Sequence, residues 1–309
     1  MSSPSAPGES RLALGAGLGC YLIWGFVPLV FQAIGRLGVG PWEILAQRIV
    51  WSVPAAALFV LLAKQGGQVL RVLRQPRVLA WLALSSVLIA ANWVVFIWAV
   101  TSNRLLEASL GYYINPLVSL AGGALVFREK IDRIGYAAIA LALVGVAVQA
   151  MALGQLPWVS LVLAFSFGFY GIVRKQVAAD AQTGFLVETL IVGVVALSYI
   201  VWLQGQGAGH FGDPTTAIWL IASGPVTAVP LVLFSWAARR IPLSVMGFLQ
   251  FLSPTISFFI GVAQGEPFTP LRALSFVFIW AGAAVFLFGM WRRSRTALRA
   301  QQLVEAAAE

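Results

Sequence analysis

Charge is scarce in this 309-residue chain: 10% of its residues are charged, against 60% hydrophobic. A soluble domain carries about 25% charged residues. This composition excludes a water-covered surface and implies a polytopic membrane protein whose solvent is lipid. Cysteine is nearly absent too. The single Cys20 excludes an internal disulfide and any cysteine-based zinc or iron–sulfur site. The single His210 leaves little room for a His-ligated metal or a Ser/His/Asp triad. No G-x-x-x-x-G-K-S/T run occurs, so the chain has no Walker-type nucleotide site. Neither a metal nor a cofactor is expected.

What the sequence does contain is apolar length. Residues 134–173 carry no charge and are interrupted only by the turn-like Leu153-Gly154-Gln155-Leu156-Pro157. A membrane helix takes about 20 residues, so this stretch reads as two helices and a tight turn. The same treatment of the whole chain gives ten spans, near 12–35, 42–63, 78–101, 105–127, 134–153, 157–173, 184–203, 215–238, 243–264 and 272–291. The first span is too long for the core of a cleavable signal peptide. Residues 1–11 form a short N-terminal segment, 204–214 the largest loop on the opposite side, and 292–309 a polar, frayed helical tail.

The basic residues test that count. With the N-terminus inside, Arg11, the clusters at 64–77, 128–133, 174–175 and 239–240, and Arg292, Arg293, Arg295 and Arg299 all fall on the cytoplasmic side. Only Arg36, Arg104 and Arg272 fall on the other, and Arg48 lies within the second span. This asymmetry matches ten spans with both termini cytoplasmic. The net charge of +9 therefore reflects membrane orientation, and nucleic acid is not an expected partner.

The two halves of the chain resemble one another. At an offset of 138, Phe96 pairs with Phe234, Trp98 with Trp236, Ala99 with Ala237, Leu105 with Leu243 and Pro116 with Pro254. At 146, Tyr21 pairs with Phe167 and Trp24-Gly25 with Tyr170-Gly171; at 145, Glu43 pairs with Glu188. Residues 12–153 thus form one five-helix repeat and 154–291 a second. An odd number of helices per repeat inverts the second against the first, an architecture of secondary transporters whose sites lie near the midplane.

Helix faces then nominate residues. Ala108, Tyr112, Asn115 and Ser119 share one stripe of the fourth span; Gly247, Gln250, Ser253 and Ser257 share one of the ninth. Close packing of small residues explains Ser119, Ser257 and the glycines. Tyr112, Asn115 and Gln250 need hydrogen-bond partners or a wet cavity at membrane depth. Trp42 and Trp291 suit interfacial anchoring, whereas Trp24, Trp93 and Trp98 fall deeper, where rings beside amides suit an amphipathic or aromatic solute; Asn92 would orient it by hydrogen bonds and Tyr170 would stack on its apolar part. Pro116 and Pro254 permit bends and are candidate gates.

Arg48 lies about 7.5 Å deeper than Glu43 along the second span, and so faces protein or water rather than lipid. It binds a substrate carboxylate or belongs to a structural ion pair. Glu43 and Glu188 are candidates for proton coupling or for interfacial salt bridges. Five residues, or about 140°, separate Glu43 from Arg48, so the two are not expected to pair. Arg104 and Glu107 are expected to form a surface pair, and Glu129 and Glu266 to sit at headgroup level.

The segments YLIWGFVPLVF, EILAQRIVWS, NWVVFIWAV, LEASLGYYINPLVSL, FSFGFYGIVRK and GFLQFLSPTISF resemble the RarD branch of the EamA-type drug/metabolite transporter superfamily, over residues 11–292. The resemblance implies an all-α, ten-helix, multi-pass protein of the bacterial inner membrane, built from two inverted repeats. It also implies a central cavity lined largely by the first, third, fourth, sixth, eighth and ninth spans. Relatives export amino acids and other metabolites, and the branch carries a chloramphenicol-sensitivity label. Substrate does not transfer with fold.

The expected function is secondary transport, in the export direction, of small amphipathic metabolites or drugs by alternating access. Amino acids, aromatic or large neutral ones first, are the leading class. Trp24, Arg48, Asn92, Trp98, Tyr112, Asn115, Tyr170 and Gln250 are the expected substrate-binding residues, with Glu43, Glu188, Pro116 and Pro254 as coupling or gating residues. The expected partners are a small-molecule substrate and membrane lipid, and the chain is expected to be a monomer or homodimer. The alternatives are a channel, a structural membrane protein, or an intramembrane enzyme acting on lipid-like substrates. The last normally uses paired acids at membrane depth, and no two acids stand three or four apart within a span.

Overall fold

The computed structural model describes residues 7–128, 131–238, 240–241 and 243–306. Glu129, Lys130 and Arg239 lie outside the described residues. Among the described residues every regular element is a helix: α1 (Pro7–Arg36), α2 (Pro41–Leu62), α3 (Gly66–Leu73), α4 (Pro76–Thr101), α5 (Leu105–Phe127), α6 (Arg133–Leu153), α7 (Trp158–Lys175), α8 (Ala181–Gly205), α9 (Pro214–Ala238), α10 (Leu243–Leu249), α11 (Leu252–Ala263) and α12 (Pro270–Ala306). This is an all-α polytopic membrane protein.

Local chemistry sets the helix ends. Pro41 and Pro76 open α2 and α4, where a missing N–H and a fixed φ cost nothing. Asp132 caps α6 by accepting from Gly135 N at 2.8 Å. Gly154 closes α6 at φ +66°, the left-handed conformation that a residue without Cβ adopts freely, and so makes the turn expected there.

Nine helices among the described residues are long and apolar enough to cross a membrane. They count the stretch Val245–Ala263 as one. α5 is 23 residues long and so about 34 Å, also enough to cross about 30 Å of hydrocarbon. Three features differ from expectation. The span expected at 243–264 is divided between α10 and α11, because Pro254 brings no N–H to the carbonyl of Gln250 and the helix opens there. The short α3 occupies the basic connection after α2, and the last span continues unbroken into the polar tail as α12.

Large apolar side chains face outward along the helices, among them Leu61, Leu62 and Val195 at 70–72% exposure. In water this would be costly; in lipid it costs nothing, since the driving force for burying apolar surface is gone. Helix association rests instead on close approach and hydrogen bonds. A Cβ at Gly224 would overlap the main chain of Trp51, so glycine is what lets α9 lie against α2.

The helix pairings are reciprocal. α1 packs on α9 and α11, while α7 packs on α4 and α5; α2 pairs with α8 and α6 with α12. One apolar core, around Phe31, Ile97, Leu105, Leu163 and Leu220, joins the first of these groups; a second, around Leu106, Tyr113, Phe258, Phe276 and Ile279, sits where α5 and α11 meet α6 and α12.

Candidate functional site

A cavity of about 470 Å³ lies between the helices, within the range of small-molecule sites. It runs from Trp93 and Phe96 on α4 to Ala181 and Gln182 in the first turn of α8, at the basic end of the bundle. Aromatic rings recur around its wall, among them Tyr21, Trp24, Trp93, Phe96, Tyr112, Phe167, Tyr170, Phe185 and Phe234. Tyr21, Trp24 and Phe234 pack edge-on or tilted, with centroids 5.5–6.3 Å apart. Such geometry holds rings in fixed orientation.

Three charged side chains line the cavity: Arg48, Arg174 and Glu188. Arg48 is only 6% exposed. Its Nε donates to Thr227 Oγ1 at 2.7 Å. Its guanidinium carbon lies 4.2 Å from the ring centre of Trp93 and 5.1 Å from that of Phe31. Nη1 is buried without a hydrogen-bond partner. A charge at membrane depth costs about 2.5–3.5 kcal/mol or more, and an orphaned buried donor about 1–3 kcal/mol. Two cation–π contacts return about 1–2 kcal/mol each at best, so the protein alone leaves Arg48 under-compensated.

Glu188 is better served. Its carboxylate accepts from Ser85 Oγ at 2.5 Å and from Tyr170 OH at 3.2 Å, and lies 3.6 Å from Arg174 Nε. Gly184 makes this possible, since any Cβ there would overlap the Arg174 guanidinium. Arg174 Nη1 remains buried and unpartnered.

Of the residues singled out in the sequence, the structure brings Trp24, Arg48, Asn92, Tyr112, Asn115, Tyr170, Glu188, Gln250 and Pro254 to this one cavity. Asn92 is largely consumed internally: Nδ2 donates to Leu163 O at 3.0 Å and Ser166 Oγ at 2.9 Å, while Oδ1 accepts from Tyr112 OH at 3.0 Å. Asn115 Oδ1 has no partner. Gln250 stands at the break between α10 and α11.

Trp98 is not brought in. Its ring packs on Trp158 at 5.1 Å under Arg104, because six residues beyond Asn92 turn it about 120° off the cavity face of α4. Pro116 is buried within an unbroken α5 and does not line the cavity. Glu43 lies towards the opposite end, where its two oxygens accept from His210 N at 2.9 Å and pair with Nδ1 at 2.7 Å. It makes no contact with Arg48, as the 140° separation requires.

The same end holds other closed polar groups. Gln32 and Gln264 exchange hydrogen bonds at 2.8 and 2.7 Å. Glu266 is buried within the protein, and accepts from Leu105 N and Leu106 N at 2.5 and 2.9 Å. It thereby satisfies two of the open donors at the start of α5. Arg104 and Glu107 pair at 3.1 Å as expected, but Glu107 is 4% exposed and so not a surface residue.

The spans that the resemblance implies as the main lining do not include the second and seventh, yet α2 supplies Arg48 and α8 supplies Glu188, both singled out as individual charges within the apolar spans. Thr227, which fixes Arg48 and is a lone hydroxyl between Pro225 and Pro230 of α9, was not among the residues singled out in the sequence.

Comparison with known proteins agrees with this architecture. The profile of the EamA-like transporter family matches residues 11–151 and again 157–288. An uncharacterized transporter of Pseudomonas aeruginosa is 42% identical over 282 residues, covering 90% of this chain and 94% of its own. The protein RarD of Streptomyces exfoliatus is 40% identical over 306 residues, covering 98% and 96%. A solved crystal structure superposes with a TM-score of 0.58 over 91% of this chain and 98% of its own at 18% identity, a likeness of fold alone.

Proposed function

The chain belongs to the EamA-like transporter family and is a multi-pass inner-membrane transporter; from that premise we propose that it is a secondary exporter of small amphipathic metabolites, amino acids first among them, or of drugs. The observation that carries this reading is the aromatic-walled cavity of about 470 Å³ with a few polar groups at fixed positions. That is the design of a site that sorts solutes by an apolar body and a polar head.

Ten spans in two inverted five-helix repeats, 12–153 and 154–291, underlie the mechanism. The two successive family matches and the reciprocal helix pairings support that division. With the basic end cytoplasmic, both termini are inside and the cavity faces the cytoplasm. Gln32–Gln264, Glu43–His210 and Glu266 then close the outer end, and rocking of the repeats exchanges the two states. Trp24 and Tyr170 contact the apolar part of the solute; Arg48, Asn115 and Gln250 contact its polar part. Asn92 acts through Tyr112, whose hydroxyl it fixes. The helix break before Pro254 supplies the gate, and Glu188 the coupling proton.

Counterflow in proteoliposomes, with a panel of labelled amino acids and chloramphenicol, tests the reading. Saturable exchange, stimulated by an imposed pH gradient in the wild type and unstimulated in Glu188→Gln, is expected. Non-saturating flux would make the protein a channel, and absence of flux for the whole panel would remove this substrate class.

A further inference from the structure

The charges on the cavity wall are unequal in a way that selects a ligand. Arg174 has its carboxylate in Glu188, at 3.6 Å. Glu188 in turn already accepts from Ser85 and Tyr170. Arg48 has no such partner: among the described residues it forms no ion pair, and its one hydrogen bond goes to the neutral hydroxyl of Thr227. Thr227 passes its own proton to Ser223 O at 2.9 Å, so its oxygen is free to accept but brings no charge. The wall therefore carries one uncompensated positive charge, on the Arg48 side chain that lines the cavity and whose Nη1 is buried without a hydrogen-bond partner.

Guanidinium recognises oxyanions through paired N–H groups. The guanidinium lies over the rings of Trp93 and Phe31, and Trp93, Phe96 and Tyr112 line the same cavity. An anionic head of one or two oxygens on an aromatic or apolar body matches that arrangement. A cationic head meets a wall already one charge positive, and an ammonium finds Glu188, the one acid of the wall among the described residues, occupied.

We propose that Arg48 is the head-group site for an organic monoanion, a carboxylate on an aromatic or apolar body, and that recognition requires the anion but no ammonium. This deepens the transporter reading and rests on it for its biological meaning. The cargo supplies the counter-ion that the fold withholds from Arg48. Amino acids are accepted through their carboxylate, and the corresponding acids without the amino group are accepted as well or better.

The test uses four matched probes: 3-phenylpropionate, phenylalanine, 3-phenylpropanamide and phenethylamine. Binding to the full chain is measured by calorimetry in phosphatidylcholine nanodiscs, a lipid whose lack of net charge keeps an anionic headgroup from replacing the probe. The two carboxylates are expected to bind at least about 30-fold more tightly than the amide and the amine. Arg48→Gln should erase that difference, and Arg48→Lys, which keeps the charge without the fork, should retain part of it. Size-exclusion profiles of both variants show whether each remains folded. Equal binding of amide and acid, no binding of any probe, or an acid preference that survives in folded Arg48→Gln would overturn the proposal. Counterflow of the same probes separates the two readings. Acid-selective binding without flux keeps the anion site and removes transport of this class; saturable flux equal for acid and amide keeps transport and removes the anion site.

Discussion

The two ends of the bundle treat buried polar groups in opposite ways. Where α2 and α5 begin, Gln32 meets Gln264, Glu43 meets His210 and Glu266 meets two main-chain N–H groups. In the cavity, Arg48, Asn115 and Arg174 each retain a buried atom with no partner. Gln47 Nε2 and Gln149 Nε2 share that condition but lie outside the cavity lining. An unpaired buried group costs about 1–3 kcal/mol, so its concentration on one wall identifies work other than holding the fold together. Substitutions at the closed end should be read in stability, and those in the cavity in flux.

The strongest break in this contrast is Glu266→Ala. It strips the N–H groups of Leu105 and Leu106 of a charged acceptor in a buried site and should cost about 3 kcal/mol, seen as a lowered unfolding temperature in detergent. Arg48→Met should behave in the opposite sense. It removes an under-compensated charge and leaves Thr227 bonded to Ser223, so stability should hold or rise. Transport should fall at least about 30-fold, equivalent to about 2 kcal/mol. A variant that lost both would place Arg48 among the structural groups. Smaller is the coupling between Gln32 and Gln264, which a cycle of Gln32→Leu, Gln264→Leu and the double variant should measure as about 1 kcal/mol.

The smallest effect is at the exposed start of α9. Thr216 N and Oγ1 both donate to Asp213 at 2.7 Å, which holds that carboxyl below the usual range. A lowered folded-state pKa adds stability that is complete above the unfolded value of about 3.9 and is lost as pH falls through the folded value. Thermal unfolding of Asp213→Asn should therefore show a shallower acid limb than wild type and near-identity at neutral pH, since Asn also caps.

Length and charge made the spans legible: 42–63 was expected for α2, which runs Pro41–Leu62, and 105–127 for α5, which runs Leu105–Phe127. Composition sets where a helix enters and leaves lipid, so boundaries follow from it. Faces were legible where the 100° step was applied, as for Tyr112, Asn115 and Gln250. Trp98 was assigned by depth alone, and the same rotation that puts Asn92 and Phe96 on the cavity turns it away. Thr227, and the Arg174, Ser85 and Tyr170 partners of Glu188, depend on which helices are neighbours, which periodicity within a single span does not encode. The unequal effect of Pro116 and Pro254 is of that kind too: α5 is continuous through its proline, and the matching segment is not.

Pro254 has one more consequence. By ending the helical ladder it leaves the Gln250 carbonyl without its usual donor at a residue of the cavity wall. That oxygen belongs to the main chain, so every side-chain scan of position 250 preserves it. A solute that leans on it would be indifferent to what stands at Gln250 and sensitive to what stands four positions later, where an ordinary residue would return the missing N–H and take the acceptor away.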